Sequence, residues 1–447
     1  MEMTKQNIQD SLKSLIATIG RQDFGDCKIG VLQVKILDNL QDVASREGFH
    51  LKSIELGNFI YTGAHWEEIS FFEMQDWLHR VAERMGVTGT IAKQFRFVEG
   101  LAKQFVINFG SIRKPTNKNL INLINGTFDT ASFTLLRHNP EDDFLYTLPF
   151  NYDAKAICPQ FNSYLSEVLP DKTSRIVLQE YIGYIFLNIK LEKVAILYGS
   201  GANGKSVFLD IITALLGKEN ISNISMANLT REDGRYTANI ATTLLNICTD
   251  ISNVINDSAI FKAMASGEAI NAKPLYKDSY KLEEYAKLIF ACNELPNTID
   301  YSDGFFRRFL IINFPIQIEK EKQDPELANK IISNELSGIL NWVIEGITRL
   351  KSQKHFTASD ELAKTLEEYR QGCDSVAMFL SEERWIMSAN DRFLLKKLYQ
   401  DFCIYCDGAG YKRMTRNKFS DRLRILKYNL FTSTGNLKYV NVKKDYS

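Results

Sequence analysis

Hydrophobic and polar positions change period several times along the chain. Apolar residues return at helical spacing from Ile8 to Ile19, from Phe72 to Met85 and from Thr88 to Phe109. Between the first two, Ser53–Ile60 and Trp66–Ile69 read as strands around the hairpin signal Tyr61-Thr62-Gly63-Ala64. A turn-rich stretch follows, with Asn125-Gly126-Thr127-Phe128-Asp129 and Asn151-Tyr152-Asp153, before helical spacing returns at Pro159–Leu169. From about residue 176 to 318, short apolar runs alternate with helical ones. That alternation predicts an α/β fold, a parallel sheet covered by helices. Residues 320–370 are charged and helical, and Lys351-Ser352-Gln353-Lys354-His355 reads as a hinge. Beyond Asp391 come a helix (Phe393–Tyr405), Gly408-Ala409-Gly410, a basic helix (Arg416–Ile425) and strands flanking Thr434-Gly435-Asn436.

One site stands out chemically. The apolar run Val194-Ala195-Ile196-Leu197-Tyr198 leads into Gly199-Ser200-Gly201-Ala202-Asn203-Gly204-Lys205-Ser206, and a helix follows to Leu216 and Gly217. This is G-x-x-x-x-G-K-S in its strand–loop–helix setting. Glycines let successive backbone N–H groups curl around phosphate oxygens, and the helix N-terminus favours an anion. Lys205 is expected to reach the β- and γ-phosphates of ATP, and Ser206 to offer its hydroxyl to Mg²⁺.

Such a loop needs a carboxylate on a neighbouring strand. Leu244–Thr249 is a buried-strand pattern ending in Asp250, the expected second Mg²⁺-shell ligand. Thr249 and Ile251 flank it, so the usual second acid is absent. A third strand, Leu288–Cys292, ends in Asn293, whose amide can donate to the γ-phosphate or orient water. Arg307 and Arg308 precede the apolar run Phe309–Ile312 and can present a guanidinium to a neighbour's γ-phosphate.

Charge adds a partner. The chain of 447 residues balances 54 Lys+Arg against 54 Asp+Glu. Residues 391–447 nevertheless hold 13 basic and 5 acidic side chains, leaving 41 against 49 in the rest. A basic terminal module on an acidic body suggests a polyanion, and its helix, helix, hairpin order is the outline of a winged helix. No apolar run approaches a bilayer span, the start lacks the apolar core of a signal peptide, and seven scattered cysteines point to a reducing compartment. Cys403 and Cys406 lie at helical spacing without a second Cys/His pair, and the five histidines form no ligand set.

Together these motifs resemble superfamily III helicases, the AAA+ branch of viruses, phages and plasmids, and most closely the helicase portion of phage/plasmid and poxvirus-type primase–helicases. The resemblance covers roughly residues 116–447. Its motifs are tightly spaced: 45 residues from Lys205 to Asp250, 43 to Asn293 and 15 to Arg308. It implies Asn293 as sensor and Arg308, with Arg307 beside it, as trans-acting arginine finger. It also implies a channel hairpin in Ser266–Asp278, with Lys277 at its DNA-touching tip and Lys273 and Tyr276 nearby. Arg416, Lys418, Arg422 and Arg424 supply the helix charge of the winged helix.

The implied architecture is an AAA+-type P-loop core over 176–350, preceded by a mixed N-terminal accessory region (1–115) and a helical, collar-like segment (116–175), and followed by a helical linker (351–390) and a basic winged helix (391–447). The first 115 residues carry no Asp-x-Asp strand and no zinc-type cluster, so no primase–polymerase domain is expected there. The implied function is an ATP- and Mg²⁺-dependent DNA helicase that forms a homohexameric ring on single-stranded or forked DNA. A separate primase or replication initiator is its implied partner, away from membranes, in the cytoplasm of a bacterial host or at a site of viral replication. The rival reading is an origin-binding or remodelling ATPase that does not unwind.

Overall fold

The computed structural model describes residues 2–111, 119–249, 258–274, 278–296, 298, 300, 302–411, 413–433 and 435–445. The chain opens with α1 (Glu2–Thr18) and α2 (Ile29–Glu47), an antiparallel sheet of β1 (Leu51–Ile54), β2 (Gly57–Tyr61) and β3 (Trp66–Ile69), then α3 (Phe71–Arg84), α4 (Gly89–Ala92) and α5 (Phe95–Asn108). The strand expected over 53–60 is therefore two, because Ile54 pairs with Gly57 across the short turn Glu55-Leu56. The helix expected over 88–109 is also two, broken where Gln94 is extended. Leu37, Leu40, Trp77, Leu78 and Phe105 close a separate N-terminal core.

The segment read as helical, 116–175, is a sheet first. β4 (Leu120–Leu123), β5 (Gly126–Asp129) and β6 (Thr134–Leu136) pair antiparallel, and only then come α6 (Pro159–Val168) and α7 (Lys172–Tyr184). The cause is local: Leu123 pairs with Gly126, so Ile124-Asn125 forms a two-residue hairpin loop.

The centre is the predicted mixed α/β body. β7 (Val194–Tyr198), α8 (Lys205–Leu216), β8 (Ile221–Ser222), α9 (Met226–Leu229), β9 (Leu245–Cys248), α10 (Ser258–Ser266), the pair β10 (Ile270–Ala272) and β11 (Tyr280–Leu282), β12 (Lys287–Cys292), α11 (Asp303–Phe306) and β13 (Phe309–Asn313) follow in turn. Five strands form one parallel sheet in the order β13-β7-β12-β9-β8. Being buried on both faces, its strands are largely apolar, and the one polar residue inside them, Asn246 of β9, is fully buried and accepts from the Ser222 hydroxyl at 3.0 Å and the Ile224 N–H at 2.8 Å.

α12 (Leu327–Gln353) covers one face, packing on α7 and α8. The hinge expected at 351–355 lies mostly inside this helix, and the chain turns at Lys354, φ 60°. Fully buried Glu180 of α7 ties that corner by accepting from Arg349 at 2.6 Å and from the Thr357 N–H at 2.8 Å. The linker expected over 351–390 divides between two cores. α13 (Asp360–Cys373) seats Tyr369 and Cys373 against the central sheet. α14 (Ser375–Glu382) instead joins β14 (Trp385–Met387), β15 (Phe393–Leu394), α15 (Leu395–Ala409), α16 (Arg416–Ile425), β16 (Leu430–Thr432), β17 (Lys438–Val440) and β18 (Val442–Lys444) around Phe379, Phe402 and Phe419. Among the described residues, no helix is long and apolar enough to cross a membrane.

Candidate functional site

Because β7 lies between β13 and β12, the loop after β7 shares the carboxyl edge of the sheet with the residue after β12. Ligands bind open α/β sheets at that edge. Gly199 (φ 149°) could not carry a side chain: a Cβ there would meet the Phe314 carbonyl oxygen at 2.5 Å and Asn203 Nδ2 at 2.4 Å. Gly204 (φ 87°) is the N-cap of α8. The helical ladder starts with Phe208 N–H donating to the Gly204 carbonyl at 3.1 Å, so the N–H groups of Lys205, Ser206 and Val207 have no carbonyl within the helix. Ser200, Gly201 and Ala202 are exposed along the loop, and Ser206 is exposed on the first turn.

Lys205 is folded back over this loop. Its ammonium donates to the Gly199 carbonyl at 2.6 Å, to Asn203 Oδ1 at 3.0 Å and to Asn293 Oδ1 at 3.3 Å. Only 8% of the residue is exposed, and burial lowers its pKa. Two of the sequence-predicted residues, Lys205 and Asn293, are thus brought into contact from adjacent strands. Asn203 is fixed from behind by donating to the Phe314 carbonyl at 3.2 Å.

Asp250 lies outside the described residues, one position beyond Thr249 at the end of β9. Tyr276 and Lys277 also lie outside them. Lys273 is exposed at the root of the β10–β11 hairpin, where Ala272 pairs with Tyr280.

The paired arginines part company. Arg308 points inward: it is 8% exposed, donates to Ser266 Oγ at 2.8 Å, to the Lys262 carbonyl at 3.2 Å and to the Gly304 carbonyl, and lies 3.5 Å from Glu192. Arg307 is the outward side chain, 56% exposed, and meets Glu192 at 3.0 Å. Sequence alone cannot separate adjacent arginines at the start of a strand. Here the α10–α11 packing does, because Ser266 and Gly304 take up the Arg308 guanidinium.

The basic helix needs a correction too. Arg422 was expected on its DNA-facing side, yet it pairs with Asp374 at 2.6 Å, with the two side chains 16% and 7% exposed. Asp374 also caps α14 by accepting from Ala377 N–H at 3.1 Å. Arg422 therefore ties α16 to α14 and is not free to reach a phosphate. Arg424 is exposed and pairs with Asp421 at 2.5 Å, while Arg416 and Lys418 are exposed on the first turn.

Sequence reasoning missed Tyr164. From α6 its hydroxyl donates to the Gly204 carbonyl at 2.7 Å, and Val168 of the same helix lies 2.8 Å from where a Gly204 Cβ would sit. Helical spacing placed this face inward but could not say onto what.

Comparison with known proteins fits these features. Residues 197–308 match a family of unknown function (DUF5906), running from β7 to the paired arginines. Residues 50–170 match a family described as D5 N terminal like. Putative helicase 121R of Invertebrate iridescent virus 3 is 25% identical over 360 residues, covering 70% of this chain and 38% of that protein. Putative helicase L207/L206 of Acanthamoeba polyphaga mimivirus is 24% identical over 278 residues, covering 57% of this chain and 26% of that protein. The chain thus spans well under half the length of these relatives. The apo NrS-1 C-terminal region shares the fold over 93% of this chain and 100% of its own, with TM-score 0.50 and 13% identity. Together the matches relate the chain to viral proteins named as putative helicases and to the D5 N terminal like family.

Proposed function

We propose that the chain is an ATP-driven DNA helicase motor of viral or phage replication, of the superfamily III type, working as a ring. The contact between Lys205 and Asn293 carries this reading, because it joins a phosphate-binding loop to a polar sensor at one sheet edge. The residues fit ATP with Mg²⁺: a glycine loop that excludes side chains, a helix N-terminus, a buried ammonium and a hydroxyl at Ser206. Bound there, the nucleotide supplies a γ-phosphoryl group for attack by water. Lys205 leaves its loop carbonyls to neutralise the β- and γ-phosphates. Asn293, released from Lys205, would turn its amide to the γ-phosphate or to water, and Ser206 and Asp250 would hold the Mg²⁺ that screens the phosphate charge. Helicase names among the viral relatives support coupling of this hydrolysis to strand separation.

In this reading Arg307 is the guanidinium offered to the neighbouring subunit, since Arg308 is consumed internally. Lys273, with Tyr276 and Lys277, would contact single-stranded DNA, and a winged helix formed by α14–α16 and the β15-β17-β16 sheet would load the protein on forked DNA.

The test is turnover and unwinding together. Lys205→Ala is expected to fall below about a tenth of wild-type turnover, the equivalent of ~1.4 kcal/mol or more. Wild-type protein is expected to unwind a tailed duplex with one of the two tail polarities. Turnover surviving in Lys205→Ala removes this site from the mechanism. DNA-stimulated hydrolysis without unwinding on either tail favours an origin-binding or remodelling ATPase, the reading that exposed Arg416 and Lys418 alone would support.

A further inference from the structure

Helix α13 joins two parts of the molecule that the proposed mechanism leaves unconnected: the loop after β12, which carries Asn293, and the C-terminal basic unit. β12 ends at Cys292, held in the sheet opposite Tyr198. Asn293, Glu294 and Leu295 then lead to Pro296. Proline biases Leu295 toward extended backbone, so the bend falls on Asn293 and Glu294. The far end of this bend is held from outside the sheet. The buried Pro296 carbonyl accepts from the Tyr369 hydroxyl at 2.6 Å, and the Cys373 thiol lies 4.0 Å from the same oxygen. Both donors belong to α13. Burial raises the pKa of each, so each keeps its proton. Tyr369 is 6% exposed, and its ring packs edge-on to Phe306 at 5.5 Å and Phe309 at 6.1 Å. Packing therefore places the ring, and the hydroxyl is what reaches the loop.

The other end of α13 is gripped by the C-terminal unit. Asp374, the C-cap of α13, accepts from Arg422 of α16 at 2.6 Å and also caps α14. The Tyr411 hydroxyl donates to the Gly372 carbonyl at 3.2 Å. Asp374 lies five residues beyond Tyr369, about 7.5 Å along a helix axis. α16 is also the helix that exposes Arg416 and Lys418 on its first turn.

We propose that Tyr369 is a positioning residue for Asn293, and that α13 carries DNA occupancy of the C-terminal unit to the nucleotide. The inference rests on reading Lys205 and Asn293 as an ATP site. A three-residue tether fixed at both ends restricts where the Asn293 amide can point, and a misplacement of about 1 Å in a reacting geometry costs up to about 10²-fold in rate. DNA that binds one placement of α16 better than another pulls on Asp374, and so shifts α13 and the loop it holds.

Tyr369→Phe removes the hydroxyl and keeps the ring. In steady-state ATPase assays of the full chain, kcat is expected to fall about three- to tenfold with KM for ATP within about twofold, because Lys205 and the glycine loop are untouched. The ratio of kcat with and without a saturating forked oligonucleotide duplex is expected to fall to near one. A merely structural hydroxyl would lower the melting temperature and the folded fraction, and leave that ratio unchanged. Asp374→Asn is the second variant: Asn caps a helix as well as Asp does, but the charge that Arg422 meets is gone. Its basal kcat should stay within about twofold, and its stimulation by DNA should fall about twofold or more. A wild type that DNA does not stimulate, a Tyr369→Phe kcat within about twofold of wild type, a KM that changes in step with kcat, or unchanged stimulation in either variant would overturn the proposal. Lys205→Ala separates it from the reading beneath it. Turnover that survives in Lys205→Ala removes the ATP site itself; turnover lost there, with Tyr369→Phe and Asp374→Asn behaving as wild type, removes only the role of α13.

Discussion

Replacing Tyr164 by Phe isolates one hydrogen bond at the glycine loop, the proposed phosphate-binding site. The ring stays packed on Gly204, and only the hydroxyl that donates to the Gly204 carbonyl at 2.7 Å is lost. That carbonyl also accepts from Phe208 N–H at 3.1 Å, so it is not orphaned. In a trans peptide the N–H of Lys205 points opposite to the Gly204 carbonyl, toward the loop. Tyr164 therefore helps to hold the first amide of α8 in place. A neutral hydrogen bond contributes about 0.5–1.5 kcal/mol, and with the Phe208 bond remaining the lower half applies: nucleotide affinity should fall about two- to fivefold. Steady-state ATPase assays should show KM for ATP rising by that factor with kcat nearly kept, and nucleotide titration should agree. Thermal melts without nucleotide should shift little. If KM is unchanged while the melting temperature drops, the hydroxyl only supports the fold, and the positioning argument fails.

The remaining predictions divide charges by burial. Arg308→Ala leaves Ser266 and two carbonyls without their donor and should destabilise the fold by about 2–4 kcal/mol in denaturant melts, whereas Arg307→Ala should change stability by less than about 1 kcal/mol and still lose most turnover. An Arg308→Ala protein that melts like wild type would refute the inward placement. Arg422→Ala strands buried Asp374 and should loosen the C-terminal unit while leaving the salt slope of duplex binding unchanged; Arg416→Ala and Lys418→Ala should each lower that slope by about 0.9. For pH, Glu67 with its raised pKa lends stability that is lost as pH climbs from about 4.5 to about 7, and His65 with its lowered pKa lends stability lost as pH falls from 6.5 to about 4. The two trends oppose each other, so melts should reveal a rising stability–pH slope in Glu67→Gln and a falling one in His65→Asn, each worth about 3 kcal/mol across its window; parallel slopes in both variants would refute the assignment.

The sheet and its loop were legible because both rest on local signals. A buried parallel strand is a continuous apolar run, and Gly199 to Ser206 sits between one such run and a helix. The segment over 116–175 was misjudged for a related reason. Its strands are only three or four residues long, too short for a period to declare itself, and the turn signal at Asn125 marks the Ile124-Asn125 loop of a hairpin rather than a break between helices. Arg422 shows a different limit. A basic residue on an amphipathic helix looks solvent-facing until an acid from another helix, Asp374, is placed beside it.

Contacts across sequence distance decide what the loop can do, and these were not legible. Asn293 reaches Lys205 over 88 residues, Tyr164 reaches Gly204 over 40, and the Phe314 carbonyl meets Asn203 over 111. The two family matches, 50–170 and 197–308, place Tyr164 in one and Gly204 in the other. The glycine loop is therefore built by both matched regions, and its carbonyl at Gly204 is held by a helix that the second match does not contain. A fragment beginning at residue 197 would keep every residue of the glycine loop motif and lose the hydroxyl that orients it. The same holds at the far end of the loop, where Phe314 lies six residues beyond the match and still anchors Asn203. Removing either flank should thus weaken nucleotide binding before it disturbs the motif itself, since the motif supplies the donors and the flanks fix their direction.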